Sequence, residues 1–118
     1  MEKKGGEKMD YAVLRLKDER IGEAQTKLHF ALATERALGH EFLRVDFLGE
    51  NSAVTRLRGA VLRVLRERKR SGKLLFFLLS EELSSEKPEA ALLANKYPSL
   101  LSDPALANAE NACILVKL

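Results

Sequence analysis

The spacing of apolar residues changes period along this chain, and these changes constrain the fold more than any other feature. Apolar and polar residues alternate between positions 11 and 17, which predicts a half-buried strand. A three- and four-residue spacing then predicts a helix from Ile21 to Leu38. Gly39 follows where that helix is expected to end, because glycine accepts a left-handed backbone without strain. The chain therefore begins with a strand and a helix.

A second strand and a second helix follow. Alternation over residues 42–48 predicts the strand, and an apolar stripe from Val54 to Leu65 predicts the helix. Asn51 or Ser52 is expected to cap this helix, because both side chains accept hydrogen bonds from a first turn. Ser71-Gly72 is expected to end it.

The rest of the chain holds two more strands and an insertion. The apolar run from Leu74 to Ser80 predicts a strand that lies in the middle of the sheet or has both faces covered. Residues 112–118 predict the last strand. Between them, residues 81–111 are too long for an ordinary connection. We therefore expect short helices there, one over residues 85–97 and another starting at Asp103-Pro104.

The order of these elements predicts the fold class. Strands that alternate with helices favour parallel neighbours, because each helix carries the chain back across the sheet. We predict an α/β fold, a βαβαβ(α)β two-layer sandwich with a mixed, mostly parallel four-stranded sheet, two main helices and a short helical insertion. The length of 118 residues fits one domain. We place that domain at residues 10–118 and interpret the polar residues 1–9 as a flexible tail.

Composition excludes several classes of function. The longest apolar run has six residues, against about 20 needed to span a bilayer, and residues 1–9 lack the apolar core of a secretory signal. We therefore expect a cytoplasmic protein without membrane contact. The single cysteine, Cys113, excludes an internal disulfide and a cysteine-rich zinc site. The chain has no P-loop, dinucleotide-binding glycine loop or H-E-x-x-H motif, so no cofactor is predicted.

The distribution of charge is the main indication of function. The chain carries a net charge of +3, but the segment from Ser52 to Lys73 has eight cations and one anion. On a helix its arginines fall on one face and the flanks of that face: Arg56, Arg63, Arg66 and Arg70 on the face, Arg58 and Arg68 at the flanks. Because arginine forms bidentate contacts with phosphate, this face predicts binding to DNA or RNA.

Several short motifs occur in a recognisable order. Glu23-Ala24 lies in the first helix, Leu57-Arg58-Gly59-Ala60-Val61 lies in the second, and a strand closes the chain. This order resembles the Smr (small MutS-related) domain, which has E-A in its first helix and L-R-x-A-V in its second. The resemblance spans residues 11–79 and 112–118. It implies a nucleic-acid-binding domain of a family that includes nicking nucleases.

The polar motifs of that family are changed in this chain. The family has Asp and His in an L-D-x-H strand, where this chain has Arg15 and Lys17. The family's H-G-x-G turn corresponds to residues 48–51, which keep only Gly49. Phosphodiester cleavage needs an acid, a base or a metal ligand. Arg15, Lys17 and Leu48, which stands at the position of the turn's histidine, supply none of these. The resemblance therefore implies binding without cleavage, with these two cations, Gly49 and Asn51 beside the phosphate.

Our hypothesis is non-catalytic binding of a nucleic-acid backbone by the basic helix, with no metal. One alternative is a protein-interaction or dimerisation module that uses residues 81–111, so the protein is a monomer or a homodimer. The other is a divergent metal-dependent nicking endonuclease that uses Asp46 or Glu50. We interpret His29 as a residue at the boundary of the first helix's buried stripe, and Cys113 as a small buried strand residue.

Overall fold

The computed structural model describes residues 11–83, 86–101 and 113–118. Its elements follow one another as β1 (Ala12–Leu16), α1 (Ile21–Ala37), β2 (Phe42–Phe47), α2 (Asn51–Arg70), β3 (Phe76–Leu79), α3 (Pro88–Lys96), α4 (Pro98–Leu101) and β4 (Cys113–Lys117), with one 3-10 turn at Ser80–Glu82. This order is the one predicted. The expected tail at residues 1–9 and the helix expected at Asp103-Pro104 lie outside the described residues.

The four strands form one mixed sheet in the order β1-β2-β4-β3. β1 and β2 are parallel, whereas β4 is antiparallel to both of its neighbours. The predicted α/β class and four-stranded mixed sheet are confirmed, although only one of the three neighbouring pairs is parallel. The reason is that β4 inserts between β2 and β3. As a result β1, β2 and β3 still run in one direction, and β4 opposes them.

α1 and α2 pack side by side on one face of the sheet. Every second strand residue points to that face, so Leu16, Val45 and Ile114 are fully buried beneath the helices. Each helix contributes a buried stripe at helical spacing: Ala24, Leu28 and Leu32 from α1, and Leu57, Ala60, Val61, Val64 and Leu65 from α2. Burying one such large apolar side chain stabilises the fold by about 1.5–3 kcal/mol. This layer therefore determines how both helices are rotated about their axes.

α3 and α4 cover part of the opposite face of the sheet. Leu93 and Leu100 are buried there in one apolar cluster with Phe42 and the outward side chains of β3 and β4. Pro88 is the first residue of α3, where a missing N–H removes no helix hydrogen bond. The predicted short helix at residues 85–97 is thus confirmed. β3 lies at the edge of the sheet, so a middle position is wrong for it, but both of its faces are covered, which was the other arrangement predicted.

Three glycines with a left-handed backbone terminate elements of this fold. Gly39 and Gly72 follow α1 and α2 as predicted, and Gly49 follows β2, with φ angles of +85°, +78° and +103°. The start of α2 differs from the prediction. Its N-cap is Glu50, whose side chain makes no capping hydrogen bond, and Asn51 is already helical. Gly49 turns the chain directly after the strand, so the first helical residue is Asn51. A cap at Asn51 would have placed the first helical residue at Ser52.

Gly59 provides a test of how α2 is packed. It is exposed in the middle of the helix, and an added Cβ would meet no atom within 4 Å. Because alanine loses less conformational entropy than glycine in a helix, Gly59→Ala is expected to raise the unfolding free energy by about 0.5–1 kcal/mol in urea titrations. Gly39→Ala, which places a Cβ at a φ of +85°, is expected to lower it. A loss of stability in Gly59→Ala would contradict the open packing at this position.

Candidate nucleic-acid interface

α2 presents a row of arginines on the side opposite its buried stripe. Arg56, Arg63 and Arg66 are exposed, and none of them forms an ion pair within the described parts of the chain. Arg70 continues the row near the end of the helix. From Arg56 to Arg70 the row extends about 21 Å, since a helix rises about 1.5 Å per residue. Arg56, Arg63, Arg66 and Arg70 are therefore exposed along one side of α2, as predicted, and we call them the exposed stripe.

Two of the predicted arginines have acidic partners. Arg70 is 2.6 Å from Glu67, but both side chains are largely exposed, so the pair contributes little and can be exchanged for another anion. Arg58 is 2.7 Å from Glu81, at the 3-10 turn after β3. It therefore lies on a flank of α2, and the neighbouring carboxylate offsets its charge. The structure separates Arg58 from the exposed stripe.

Arg68 lies on the side of α2 that faces α1. Its guanidinium nitrogens Nε and Nη2 are 3.2 and 3.0 Å from Nδ1 of His29. The charge pattern alone predicts Arg68 at a flank of the basic face. Arg68 is four residues after Val64 and seven after Val61, so it continues the buried stripe of α2. This spacing already predicts that its side chain points toward the packed side of the helix, as observed. Arg68 therefore joins the two helices and does not extend the exposed stripe.

The two helices leave a cleft between them, which we call the α1–α2 cleft. It has a volume of about 420 Å³ and is lined by Gln25 and His29 of α1 and by Gly59, Arg63, Val64, Arg66, Glu67 and Arg70 of α2. The side-chain amide of Gln25 donates to the carbonyl oxygen of Ala60 at 3.2 Å, which bridges the helices. Gln25 is not among the site residues predicted from the sequence. Its four-residue spacing from His29 places both on one side of α1, but only the helix pairing shows what that side faces.

His29 is a titratable residue of this cleft, although its position in the sequence predicts only a structural role. Burial, followed by the charges of Arg68 and Lys73, lowers the pKa of His29 below its ordinary value. Its imidazole is therefore neutral at pH 7. Since Nδ1 accepts from Arg68, the ring proton lies on Nε2, which is a hydrogen-bond donor.

A second group of predicted residues meets at the edge of the sheet where β1 and β2 end. A Cβ placed on Gly49 would be 3.7 Å from Cγ of Lys17, and the N–H of Leu48 donates to the carbonyl of Leu16 at 2.9 Å. Asn51 begins α2 at the same edge. The parallel pairing of β1 and β2 thus brings Lys17, Gly49 and Asn51 together. No acidic residue lies in the first turn of α2.

Arg15 does not belong to either of these groups. It is exposed in β1, and its neighbours Leu14 and Leu16 point into the helix-covered core. Strand alternation therefore places Arg15 on the opposite face of the sheet, in register with Asp46 of β2. The expectation that Arg15 and Lys17 add charge to one edge holds for Lys17 only.

Asp46, the candidate metal ligand, is held by a buried arginine. Nε and Nη2 of Arg44 are 2.8 and 2.9 Å from the two carboxylate oxygens of Asp46, and Nη1 donates to the hydroxyl of Tyr11 at 3.0 Å. Arg44 is only 7% exposed. A metal ion on Asp46 would displace this guanidinium and leave it buried without its counter-ion. Cys113 lies opposite Asp46 in β4, where burial raises the pKa of its thiol to about 11.

This arrangement makes Asp46 a stabilising residue. Asp46→Asn is expected to lower the unfolding free energy by about 3 kcal/mol, because it leaves the Arg44 charge buried without a carboxylate. Glu67→Gln removes the carboxylate of an exposed pair and is the matched control, with an expected change below about 0.5 kcal/mol. Urea unfolding of both variants measures the difference. Equal effects would show that the Arg44–Asp46 pair does not stabilise the fold.

Comparison of the chain with protein-family models, curated proteins and solved structures gives no match. None of the helices in the described ranges is long and apolar enough to cross a membrane. Among the side chains of residues 11–83, 86–101 and 113–118, no group of three or more His, Cys, Asp or Glu is placed to hold a metal ion. The function of the site has to follow from its own side chains.

Proposed function

We propose that this protein binds the phosphate backbone of nucleic acid without cleaving it, through the exposed arginine stripe of α2. The observation that supports this most is that Arg56, Arg63 and Arg66 are exposed without an ion-pair partner in the described part of the chain. Ordinary solvent-facing helix surfaces mix both signs of charge. Three guanidinium groups on one side of the helix, without ion pairs among the described residues, favour a polyanionic partner, because each forms paired hydrogen bonds with phosphate oxygens.

The length of the stripe suits an extended strand. About 21 Å of helix faces roughly six nucleotides at 3.4 Å per nucleotide along one strand of a duplex. Four arginines over this distance can each reach a different phosphate. Contacts of this type provide affinity and position the protein but do not read sequence. The proposed activity is therefore binding with little sequence preference.

The edge formed by Lys17, Gly49 and Asn51 adds a second point of contact. The first N–H groups of α2 have no helix partner, and the helix dipole favours an anion there. This edge holds Lys17 and the turn with Gly49, which correspond to the histidine and the H-G-x-G turn of the Smr family, whereas Arg15 lies on the other face. Membership of that family, as a divergent form with Arg15 and Lys17 in place of the acid and the histidine, is part of this proposal.

Dimerisation through residues 81–111 has less support. Leu93 and Leu100 of this segment are buried against the sheet of the same chain, and the described part of the segment therefore already has an apolar partner.

A salt series tests the proposed contact. With four arginines on phosphates, log K for a duplex is expected to fall against log salt with a slope of about −3 to −4. Arg63→Gln/Arg66→Gln is expected to reduce the magnitude of this slope by about 1.8, since two counter-ion releases are lost. Lys96→Gln, on α3 at the other side of the sheet, is the control and is expected to leave the slope unchanged. A parent slope near zero, or equal slopes for all three proteins, contradicts the proposal.

The protein is expected to leave nucleic acid intact. Supercoiled plasmid incubated with an excess of protein and Mg²⁺ or Mn²⁺ should stay supercoiled on a gel, because Asp46 is bound to Arg44 and the family's acid and histidine are replaced. Glu50 is exposed at the sheet edge that carries Lys17, Gly49 and Asn51, and it is therefore the carboxylate to substitute. Nicking by the parent that is lost in Glu50→Gln would instead establish a divergent metal-dependent nuclease.

A further inference from the structure

The α1–α2 cleft combines positive charge with a concave, half-open shape, which a flat arginine stripe lacks. Its volume of about 420 Å³ lies within the usual range for small-ligand sites, roughly 300–1,000 Å³. Arg63, Arg66 and Arg70 stand along one wall, and Gln25 and His29 form the other. The cleft therefore joins the nucleic-acid-facing side of α2 to a recess between the helices.

The charge within the cleft is unbalanced. Three guanidinium groups face one carboxylate, that of Glu67, which is paired with Arg70. Arg63 and Arg66 have no ion pair with any residue that the structure describes. His29 adds a neutral donor through Nε2, because its Nδ1 is engaged by Arg68. A group with several acceptor oxygens and a negative charge is the complementary ligand.

Gly59 is an independent indication that the cleft is kept open. A glycine in the middle of a helix costs about 0.5–1 kcal/mol relative to alanine. The packing of the protein does not require it, because an added Cβ would meet nothing within 4 Å, and its backbone is not left-handed. Gly59 nevertheless lines the cleft. The absence of a side chain there leaves room for a ligand against the backbone of α2.

We infer that the α1–α2 cleft is the binding site for one phosphate group of the bound nucleic acid, which Arg63 and Arg66 hold. We call this site the phosphate seat. This inference rests on the proposed function and names the place where the strand is anchored. Arg70 exchanges its exposed pairing with Glu67 for the phosphate, at little cost in stability. The opposite wall supplies two donors, Nε2 of His29 and the N–H of the Gln25 amide that is not bonded to Ala60. The phosphate is either an internal phosphodiester or the terminal phosphate of a strand, and both offer the same acceptor oxygens.

Filling the cleft without changing its charge tests the inference. Gly59→Leu places an uncharged side chain in the cleft, and Gly22→Leu places the same side chain at an exposed glycine of α1 outside it. Affinity is measured for a ten-nucleotide single strand with and without a 5′-phosphate. Gly59→Leu is expected to bind about tenfold more weakly than Gly22→Leu, with the salt slope reduced by about 0.7, the value for one contact with a single strand. An equal loss on both strands identifies an internal phosphodiester, and a loss confined to the phosphorylated strand identifies the terminal phosphate.

A second measurement separates this inference from the proposed function. Pyrophosphate is titrated into isotope-labelled protein, and the NMR signals of the His29 ring and the Gln25 amide are followed. Both signals are expected to shift in the parent and in Lys96→Gln, and neither in Arg63→Gln.

If nucleic acid fails to bind but these shifts occur, the proposed function is wrong and the phosphate seat stands. If nucleic acid binds but Gly59→Leu has the affinity of Gly22→Leu, the seat is wrong and the function stands. If Gly59→Leu does not fold, the pyrophosphate titration of Arg63→Gln tests the inference instead. NMR shifts of His29 and Gln25 that persist in Arg63→Gln overturn the inference.

Discussion

The burial of the apolar stripe of α2 against the sheet is the interaction on which the rest of this structure depends. Leu57, Val61 and Leu65 are fully buried, and they leave the helix only one rotation about its axis. Turning α2 enough to expose them would bring Arg63 or Arg66 into the core, where an unpaired guanidinium costs several kcal/mol. The direction of the arginine stripe is thus a consequence of core packing and requires no specific contacts of its own.

The pairing of α1 with α2 adds what a single amphipathic helix cannot provide. Gln25 donates to the backbone of α2 at Ala60, Arg68 donates to His29, and Nη1 of Arg36 donates to the carbonyl of Lys73 at 3.0 Å. The first two contacts join the helices directly, and the third joins α1 to the turn that follows α2. Because the contacts bridge the helices while Gly59 carries no side chain, a recess remains between them.

The opposite face of the sheet has a different role. There Arg44, Asp46 and Tyr11 form a satisfied polar network beside the apolar cluster that α3 and α4 complete. Both oxygens of Asp46 are used by one guanidinium, which explains why a carboxylate in the middle of the sheet is tolerated. The charges of Arg44 and Asp46 are used to hold the fold, whereas Arg56, Arg63 and Arg66 of α2 have no ion-pair partner among the described residues. That contrast, and not the total charge of the chain, distinguishes the candidate interface.

The sequence by itself determined the class of the fold, the order of its elements and the exposed stripe of Arg56, Arg63 and Arg66, because all of these follow from local periodicity. The helix ends at Gly39 and Gly72 were predictable for the same reason, since a left-handed backbone favours glycine whatever surrounds it. Periodicity carries no information about which strands become neighbours. Only the tertiary structure decided that β4 enters between β2 and β3, that Arg15 lies on the face away from α2, and that Glu81 offsets Arg58. The cleft was equally beyond the sequence, because Gln25 and Arg63 are 38 positions apart and meet only when two helices share one face of the sheet.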